Sequence, residues 1–461
     1  MVRAAIVPIL LSAAAAHAGV VNVSTPAELT AAITSAQAGD EIVLASGTYA
    51  LTGATCSAVG TAAQPIIVRS ATPLGAKIEF DALEGFKVTG AHWHFEGLDV
   101  RGVCASDPNC EHAFHVMGAA DGFVLRNSRV VDFNAQLKVN VSMIGSTYVM
   151  PNNGLVEYNE VGDTRGRNTS NPVTKLNIDT GNDWIVRGNY LHDAYKLQGD
   201  NTSYAAFMKS GGKRGLFERN LVICSRDTTG GTRIGLSFGG GGTAPQFCAP
   251  AYDINTPCSV EHDGGTMRNN IIVNCSDVGI YLNRGKDSHI LFNTLIATSG
   301  VDFRFDTTSG EAVGNLLAGM IRARDLAMLS ASGNTMNVAM TQFTSWYQAP
   351  LTGDLRPVGD ITSLIGSAPM RTDVLDDYCA QLRPAGALTM GAIEHSVGTC
   401  DTTRPPMGTP VGPYGDDVPH GDDSPTNDPP GGGGGCCQAP GHPDGLPVLF
   451  VLIVLARRRR A

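Results

Sequence analysis

A short phrase recurs along the chain, in which aliphatic and charged residues lead to an asparagine and a second aliphatic run follows. Successive copies lie 32, 30, 31, 50, 23 and 22 residues apart. About 22 residues form one bare coil of a parallel β-helix, and a longer interval adds a loop to the coil. The phrases centre on Asn127, Asn159, Asn189, Asn220, Asn270, Asn293 and Asn315.

The recurring asparagine has a physical explanation in such a stack. A short amide tolerates the left-handed backbone of a turn and hydrogen-bonds to its counterparts in the coils above and below. The aliphatic residues beside it bury a continuous core only when several coils stack. The alternative, an Asn-rich β-sandwich, would show hairpin signals about every 8–12 residues. We therefore predict an all-β protein, a single-stranded parallel β-helix.

The segment before the first phrase predicts a cap for the open end of the stack. PAELTAAITSAQAGDEIVLASGTY indicates a helix from Glu28 to Ala36, a turn at Gly39-Asp40 and a strand over 41–44. Every solenoid needs such a cap. With QPIIVRSATPLGAKIEF and the asparagine coils, this segment resembles right-handed parallel β-helix proteins of the pectin-lyase fold, above all the relatives of chondroitinase B and the alginate lyases. The resemblance spans about residues 22–396.

Both ends of the chain carry targeting patterns. Residues 1–18 combine Arg3, an apolar run and the ending Ala-His-Ala, which predicts a secretory signal peptide and export; the alternative is a buried N-terminal helix. Residues 19–401 form the predicted β-helix domain, and the Pro/Gly/Asp-rich stretch 402–435 reads as an extended linker.

The last 26 residues, 436–461, contain two cysteines, an apolar run over 446–456 and four arginines. An 11-residue run is shorter than the roughly 20 residues that span a bilayer unaided. The order of parts resembles the C-terminal sorting tail of many myxobacterial surface proteins, which implies processing and anchoring at the outer surface. We therefore expect contact with a membrane through this tail and a location at the cell surface or in the medium. The alternative is a plain tail anchor.

Composition narrows the function classes. Glycine provides 55 of 461 residues without a G-X-Y period, which excludes collagen. The net charge of −10 argues against a nucleic-acid partner, because such binding depends on Lys and Arg that neutralise phosphates. We expect a monomer.

Eleven cysteines in an exported chain favour disulfides, and no CxxC pair supports a zinc cluster. Cys224 and Cys275 each follow an asparagine strand and are expected to stack as small buried residues. Proximity in sequence pairs the others as Cys104 with Cys110, Cys248 with Cys258, and Cys379 with Cys400.

A strand lies some 9–14 residues before each asparagine, and alternation along it separates inward from outward side chains. Neighbouring strands are about 4.8 Å apart, so the outward residues of successive coils form one surface strip. The predicted outward residues are His115, Met117, Lys175, Asn177, Asp179, Phe207, Lys209, Arg233, Tyr281, Asn283, Asp302, Arg304 and Asp306.

This strip has the chemistry that an acidic sugar polymer requires. Aromatic rings stack on sugars, cations pair with uronates, and a base beside C5 removes its proton. Asn177 and Asp179 carry oxygen ligands of the kind that Ca²⁺ prefers, so we expect Ca²⁺ there. The alternative for each of these residues is that it is an ordinary solvent-exposed side chain on the face of a strand, with no functional role. We assign catalysis to Lys209, Arg233 and Arg304, and substrate binding to Lys175, Phe207, Tyr281 and Asn283.

FMKSGGKRGLFERN resembles the coil that carries the lysine base of the chondroitinase B and alginate lyase relatives, which implies that Lys209 is the base. The chain also departs from those relatives. Residues 201–204 lack the paired glutamates that precede the lysine there, and the next strand offers only Arg233, a few residues early.

The 50-residue interval contains an insertion from Gly239 to Gly265. Folded over the strip, it would present His262 or Glu261 as an acid or base, or Asp263 as a ligand. The alternative is a disulfide-stapled surface loop.

The sequence as a whole predicts an exported, surface-anchored β-helix that binds an acidic polysaccharide and cleaves it by β-elimination. Two alternatives stay open: a non-catalytic glycan-binding surface module, and a glycoside hydrolase, which needs two carboxylates about 5–10 Å apart.

Overall fold

In a computed structural model of the protein, residues 19–402 are described, and they wind into stacked coils. Each full coil contributes one strand to each of three long parallel sheets, visited in the order sheet 1, sheet 2, sheet 3. The predicted right-handed parallel β-helix is confirmed. Because every sheet pairs strands from successive coils, the sheet hydrogen bonds of each coil go only to its two neighbours.

The strand bounds are as follows. Sheet 1 contains Val20–Val23, Glu41–Leu44, Ile66–Ser70, Trp93–Glu96, Val124–Arg126, Leu155–Glu157, Ile185–Arg187, Leu216–Glu218, Thr266–Arg268, Ser288–Leu291, Ser309–Val313 and Met328–Ser332. Sheet 2 contains Gly47–Leu51, Ala76–Phe80, Asp99–Gly102, Arg129–Val131, Glu160–Gly162, Tyr190–His192, Leu221–Ile223, Ile271–Val273, Thr294–Ile296 and Leu316–Leu317. Sheet 3 contains Ala54–Cys56, Glu84–Val88, His112–Met117, Ala135–Asn140, Val173–Asp179, Thr202–Lys209, Thr232–Phe238, Ile280–Asn283, Gly300–Arg304 and Met320–Arg324.

Smaller elements decorate the coils. A short parallel sheet joins Gly212–Lys213, His262–Asp263 and Gly285–Lys286. Two antiparallel pairs join Ser142–Ile144 with Thr147–Val149, and Tyr347–Ala349 with Asp354–Pro357. The α-helices are Pro26–Ser35 and Met340–Trp346, and the 3₁₀ turns are Asp107–Asn109, Pro245–Phe247 and Pro350–Thr352.

The first helix covers the N-terminal end of the stack, as predicted, but it begins two residues earlier, at Pro26. The reason is a capping box. The Thr25 hydroxyl accepts a hydrogen bond from the Glu28 amide, and the Glu28 carboxylate accepts one from the Thr25 amide. The buried face of the helix consists of Leu29, Ala32 and Ile33.

The interior of the coils is a column of apolar side chains, and its N-terminal half is aromatic. Phe86 and Phe114, on adjacent strands of sheet 3, stack with ring centroids 5.2 Å apart, and Phe95 meets Phe114 edge to face at 5.0 Å. Rings on successive coils therefore extend the same packed column from coil to coil.

An amide ladder runs along the turn between sheets 1 and 2. The Asn220 side-chain oxygen accepts hydrogen bonds from the backbone and side-chain N–H groups of Asn189, at 3.0 and 3.1 Å. Its own side-chain nitrogen donates to the Val186 carbonyl and to Asn270, both at 2.9 Å. The same exchange repeats through Asn159, Asn189, Asn220, Asn270, Asn293, Asn315 and Asn334.

Two details of the ladder differ from the sequence prediction. Its first rung is Ser128, whose backbone N–H donates to Asn159, and not Asn127. The left-handed residue is also the one before each rung, as at Asn127 with φ 51° and Arg219 with φ 54°. At each turn the rung residue therefore contributes hydrogen bonds through its side chain. The residue before it adopts the left-handed backbone conformation. One further rung, Asn334, extends the ladder beyond the predicted set.

A second ladder, made of charges, runs along sheet 1. Residues that pair in register on successive strands alternate in sign, and the Arg187 guanidinium lies 2.9 Å from Glu157 and 3.9 Å from Glu218. Each charge within the ladder therefore lies between two opposite charges, and each of its two ends has one such neighbour. In chain order this ladder contains Arg69, Glu96, Arg126, Glu157, Arg187, Glu218 and Arg268.

The C-terminal part of the described chain packs on the outer face of sheet 2. Leu221, Ile271 and Val273 point out of that sheet and form one buried cluster with Phe343 and Tyr378. This segment converts an exposed apolar sheet face into a second core.

Four disulfides lie within residues 19–402. The three pairings expected from proximity are present. Cys224 and Cys275 were expected to stack as unpaired residues, but they form the fourth disulfide, because adjacent coils place their Cα atoms 4.9 Å apart. They lie on consecutive coils where the strands of sheet 2 end: Cys224 directly follows Ile223, and Cys275 lies two residues after Val273.

In the described part of the chain, no helix is both long enough and apolar enough to cross a membrane. The predicted signal peptide, all but the first residue of the predicted linker and the predicted sorting tail lie outside the described residues.

The amide ladder yields a stability prediction. Asn220→Ala should lower the free energy of unfolding by about 2–5 kcal/mol, because it leaves the Asn189 backbone N–H buried without an acceptor and removes the side-chain hydrogen bonds to the Val186 carbonyl and Asn270. Denaturant unfolding measures the loss. Asn255→Ala, an exposed loop amide, is the control and should change stability by less than about 0.5 kcal/mol. Equal losses would show that the ladder is not a main source of stability.

Candidate functional site

The outer face of sheet 3 carries a continuous row of chemically active side chains. Neighbours in the row pair in register on strands about 4.8 Å apart. From the N-terminal end the row reads Lys87, His115, Lys138, Asn177, Phe207, Ser237, Tyr281, Asp302 and Arg322. The predicted strip is therefore present, although several of its members have other roles than predicted.

The centre of this face is a group that we name the lysine cluster: Lys138, Asp179 and Lys209. The Lys138 ammonium donates to Asp179 Oδ2 at 2.8 Å and to Asn177 Oδ1 at 3.1 Å. The Lys209 ammonium lies 3.7 Å from the same Asp179 oxygen. Ser210 donates its hydroxyl to the other oxygen of Asp179. Two amines from different coils thus meet at one carboxylate.

Burial and charge act in opposite directions on this cluster. Burial raises the pKa of Asp179, but the charges of Lys138 and Lys209 outweigh it, so the pKa of Asp179 is below its usual value. Burial lowers the pKa of Lys138 more than the Asp179 charge raises it. At neutral pH the carboxylate is ionised, and the Lys138 amine loses its proton more readily than a lysine in water.

The insertion 239–265 folds over the lysine cluster. The Lys209 ammonium donates to the Gly242 carbonyl at 3.1 Å, and the Thr243 hydroxyl lies 2.8 Å from the Ser210 hydroxyl. Glu261 is buried and accepts from the Ser210 amide at 3.0 Å and from Thr243 at 2.6 Å. Glu261 therefore anchors the loop and is not exposed as an acid or base.

The insertion also meets the hairpin 142–149. Tyr252 of the insertion stacks on Tyr148 of the hairpin, with ring centroids 4.7 Å apart. A cleft of about 380 Å³ lies beside this contact and is lined in part by Met150, Lys213 and Arg214. Neither Asp179 nor Lys209 lines this cleft, so it is separate from the lysine cluster.

A second positively charged area lies at the C-terminal end of the row. Arg304 donates to Asp325 at 2.7 Å and to the Tyr281 hydroxyl at 3.2 Å. Arg322 and Arg324 both pair with Asp302, at 2.6 Å each. These three arginine side chains are 38–44% exposed, so they remain accessible to a large ligand.

Three predicted site residues are buried and serve the fold. Lys175 is fully buried, pairs with the buried Asp163 and donates to the Phe133 carbonyl at 3.1 Å. Arg233 is fully buried, and its guanidinium donates to the Cys224 carbonyl at 2.6 Å. Neither side chain therefore reaches a polymer on the surface. The prediction was wrong because alternation along a strand does not show which outward residues a neighbouring segment covers.

The third is His262, which does not line the surface. Its ring stacks on Phe238 with centroids 4.2 Å apart, and its Nε2 accepts from the Gly215 amide at 3.3 Å. Burial lowers the pKa of His262 to about 3. A neutral, enclosed imidazole of this kind stabilises the turn and is not placed to exchange protons with a substrate.

The predicted substrate-binding residues are mostly enclosed as well. Phe207 is 5% exposed and meets Tyr204 edge to face at 5.5 Å, while the Lys209 ammonium lies 5.1 Å from its ring centre. Tyr281 is 7% exposed, so its ring face is not open to a sugar, and its hydroxyl accepts a hydrogen bond from Arg304 at 3.2 Å. Asn283, 9% exposed, pairs in register with Arg304. Phe207 therefore supports Lys209, and Tyr281 supports Arg304.

The oxygens of Asn177 and Asp179 do not fit Ca²⁺ in this arrangement. Both accept hydrogen bonds from the Lys138 ammonium, which lies where a cation would bind them. A Ca²⁺ site takes six to eight oxygen ligands, whereas this position already holds a positive charge. No reaction step is assigned to Ca²⁺ here.

Lys138 is the functional residue that the sequence analysis missed. Its signal was present in NAQLKVN, where Leu137 and Val139 point inward and Lys138 outward. Its partner Asp179 is 41 residues away, so only the stacking of coils brings the two together.

Comparisons with known proteins agree with the fold. Residues 23–134 match the chondroitinase B family, so the predicted resemblance is confirmed over that stretch, which ends before Lys138. No curated protein sequence matches the chain. The crystal structure of pectate lyase Pel9A superposes with a TM-score of 0.54 at 12% identity, over 82% of this chain and 97% of that one. The chain shares its fold with a pectate lyase.

Two further solved structures are less similar. A rhamnogalacturonan lyase gives a TM-score of 0.47 at 15% identity, covering 73% of this chain and 90% of the other. An alginate lyase from Paenibacillus sp. str. FPU-7 gives 0.34 at 16% identity, covering 69% and 96%.

Burial of His262 yields a pH prediction. Its folded pKa, about 3, is below the unfolded value of 6.5, so the unfolded chain binds one more proton between these values. Stability is therefore lost as pH falls from 6.5 towards 3, by up to about 1.4 kcal/mol per pH unit from this residue. His262→Phe keeps a ring against Phe238 and should make the fall in unfolding free energy shallower. An unchanged slope would show that His262 protonates in the folded state.

Proposed function

We propose that the protein cleaves a uronate-containing polysaccharide by β-elimination on the outer face of sheet 3, with the lysine cluster at the reaction centre. The observation that carries the proposal is the convergence of two lysine amines on one partly buried carboxylate, that of Asp179. The fold shared with a pectate lyase and the match to the chondroitinase B family support it.

The two lysines take different roles. Lys209 has one hydrogen bond, to the Gly242 carbonyl, and a longer contact to Asp179, so it can turn towards a substrate and take the proton from C5. Lys138 is fixed by two hydrogen bonds and supplies a positive charge to the uronate carboxylate. That charge stabilises the carbanion that forms beside the carboxylate. The C4–O bond then breaks, a C4–C5 double bond forms, and the departing oxygen takes up a proton.

The exposed arginines extend the binding surface. The strand of Arg304 lies four strand spacings from that of Asp179, or about 19 Å. A polymer that follows sheet 3 from the lysine cluster would bring another of its carboxylates to Arg304, Arg322 and Arg324. Local positive charge of this kind outweighs an overall charge of −10 within a Debye length of about 8–10 Å.

The proposal includes the location. Four disulfides within residues 19–402 suit an oxidising compartment, which supports export through the predicted signal peptide. Attachment at the cell surface through the predicted C-terminal tail, and action as a monomer, are parts of the same proposal.

One observation favours a non-catalytic glycan-binding module instead. The Lys209 side chain is 12% exposed and its ammonium already donates to the Gly242 carbonyl, so a substrate must displace the loop. A binder has no need of such a displacement. A glycoside hydrolase is less consistent with the site, because Asp179 is paired with two lysines.

Lyase action is tested with the full chain on a panel of uronate polymers: polygalacturonate, alginate and the glycosaminoglycans. The unsaturated uronyl product absorbs in the ultraviolet, so absorbance should rise with one class of polymer. Lys209→Ala should lower kcat at least about 100-fold, because a general base usually contributes at least that factor to the rate. Lys77→Ala, an exposed lysine on sheet 2, is the matched control and should leave kcat unchanged. Polymer binding without absorbance change in the unaltered chain would establish the binding module.

A second prediction concerns metal removal. Because the Lys138 ammonium already lies between Asn177 and Asp179, EGTA should leave the rate of absorbance change unaltered, and added Ca²⁺ should not raise it. Lys138→Met should lower the rate, since it removes the charge beside the uronate carboxylate. Loss of activity in EGTA with recovery in Ca²⁺ would contradict these assignments.

A further inference from the structure

A separate group of side chains lies nearer the N-terminal end of sheet 3, and we name it the histidine site: Glu84, His112 and His115. Glu84 is on the strand Glu84–Val88, and both histidines are on the adjacent strand His112–Met117. One potential ligand atom from each residue lies within 4.8 Å of the others. No role in the lysine cluster uses these three residues.

The donor atoms of the histidine site face each other. His115 Nδ1 lies 2.7 Å from Glu84 Oε1, and His112 Nδ1 lies 3.8 Å from the same oxygen. His112 Nδ1 is buried and has no hydrogen-bond partner. A buried ring nitrogen without a partner is costly unless something binds it. Lys87, 4.0 Å from Glu84 Oε2, lies beside the other carboxylate oxygen and leaves Oε1 to the histidines.

The hydrogen bonding of His115 points to a bound cation. Its Nδ1 faces the Glu84 carboxylate, and its Nε2 lies 2.9 Å from the Asn140 side-chain oxygen. A neutral imidazole has one N–H, so with Asn140 in this orientation it satisfies only one of these two acceptors. A metal ion at Nδ1 removes the conflict, because Nε2–H then donates to Asn140, the usual support of a metal-bound histidine.

We propose that Glu84, His112 and His115 bind one divalent transition-metal ion of the zinc class. Two imidazole nitrogens and a carboxylate oxygen suit Zn²⁺, Cu²⁺ or Ni²⁺, whereas Ca²⁺ prefers oxygen ligands alone. Bonds of about 2.0–2.1 Å would hold the three donors about 3.3 Å apart, so His112 moves inward and Glu84 separates slightly from His115.

The histidine site is open to a further ligand. Three protein ligands leave one tetrahedral position for water or for an oxygen of a bound molecule. The Glu84 side chain is 29% exposed and the His112 side chain 17% exposed, so this position reaches solvent. His115 pairs in register with Lys138, which places the ion one strand from the lysine cluster.

The test is metal binding by the full chain after chelator treatment and removal of the chelator. Titration calorimetry with Zn²⁺ should show saturable binding, and Glu84→Gln and His112→Gln should each weaken it at least tenfold. His289→Gln is the matched control. His289 Nδ1 lies 2.8 Å from Glu311, but the third neighbour there is Arg371, which repels a cation. This variant should bind Zn²⁺ as the unaltered chain does.

A second measurement does not depend on any variant. Co²⁺ added to the unaltered chain should give visible absorption bands of four-coordinate, nitrogen-containing ligation, and Zn²⁺ should abolish them. Absence of saturable Zn²⁺ binding, equal binding by His112→Gln and His289→Gln, or displacement of Zn²⁺ by equimolar Ca²⁺ would each overturn the proposal. Because the readout is binding, none of these outcomes depends on whether the protein cleaves a polysaccharide.

Discussion

The amide ladder is the interaction on which the rest of the molecule depends. At each rung an asparagine accepts from the backbone of the preceding coil and donates to the following one, as Asn220 does between Asn189 and Asn270. Each rung therefore fixes the position of a coil relative to its two neighbours. Once the turn is in register, all three sheets follow. This is why side chains as distant in sequence as Lys138 and Asp179 meet on sheet 3.

Most of the fold was predictable because its period is visible in the sequence. The asparagine phrases located the coils, and the segment before the Gly39-Asp40 turn located the capping helix, although the capping box that starts it two residues earlier was missed. The recurring phrase nevertheless predicts the first rung one residue early, because Asn127 and Ser128 are adjacent and only the hydrogen bonds distinguish them. The disulfide between Cys224 and Cys275 was missed for a related reason: their sequence separation of 51 includes the insertion, which hides their proximity.

The candidate site was predictable only in part. Alternation correctly put Asp179 and Lys209 on one face, but the same rule put Lys175 there, and a neighbouring carboxylate, Asp163, takes that side chain into the interior. Whether an outward lysine stays at the surface depends on what covers the strand. The same limit applies to Lys209, whose contact with Gly242 depends on the path of the insertion.

The charge ladder of sheet 1 has a consequence for how the solenoid can change length. Arginine and glutamate alternate from coil to coil between Arg69 and Arg268, so each coil has the opposite sign to its neighbours. Removing one coil from this stretch brings two like charges face to face, which is destabilising, whereas removing two restores the alternation. In this region the number of coils can therefore increase or decrease without bringing like charges together only if coils are gained or lost in pairs.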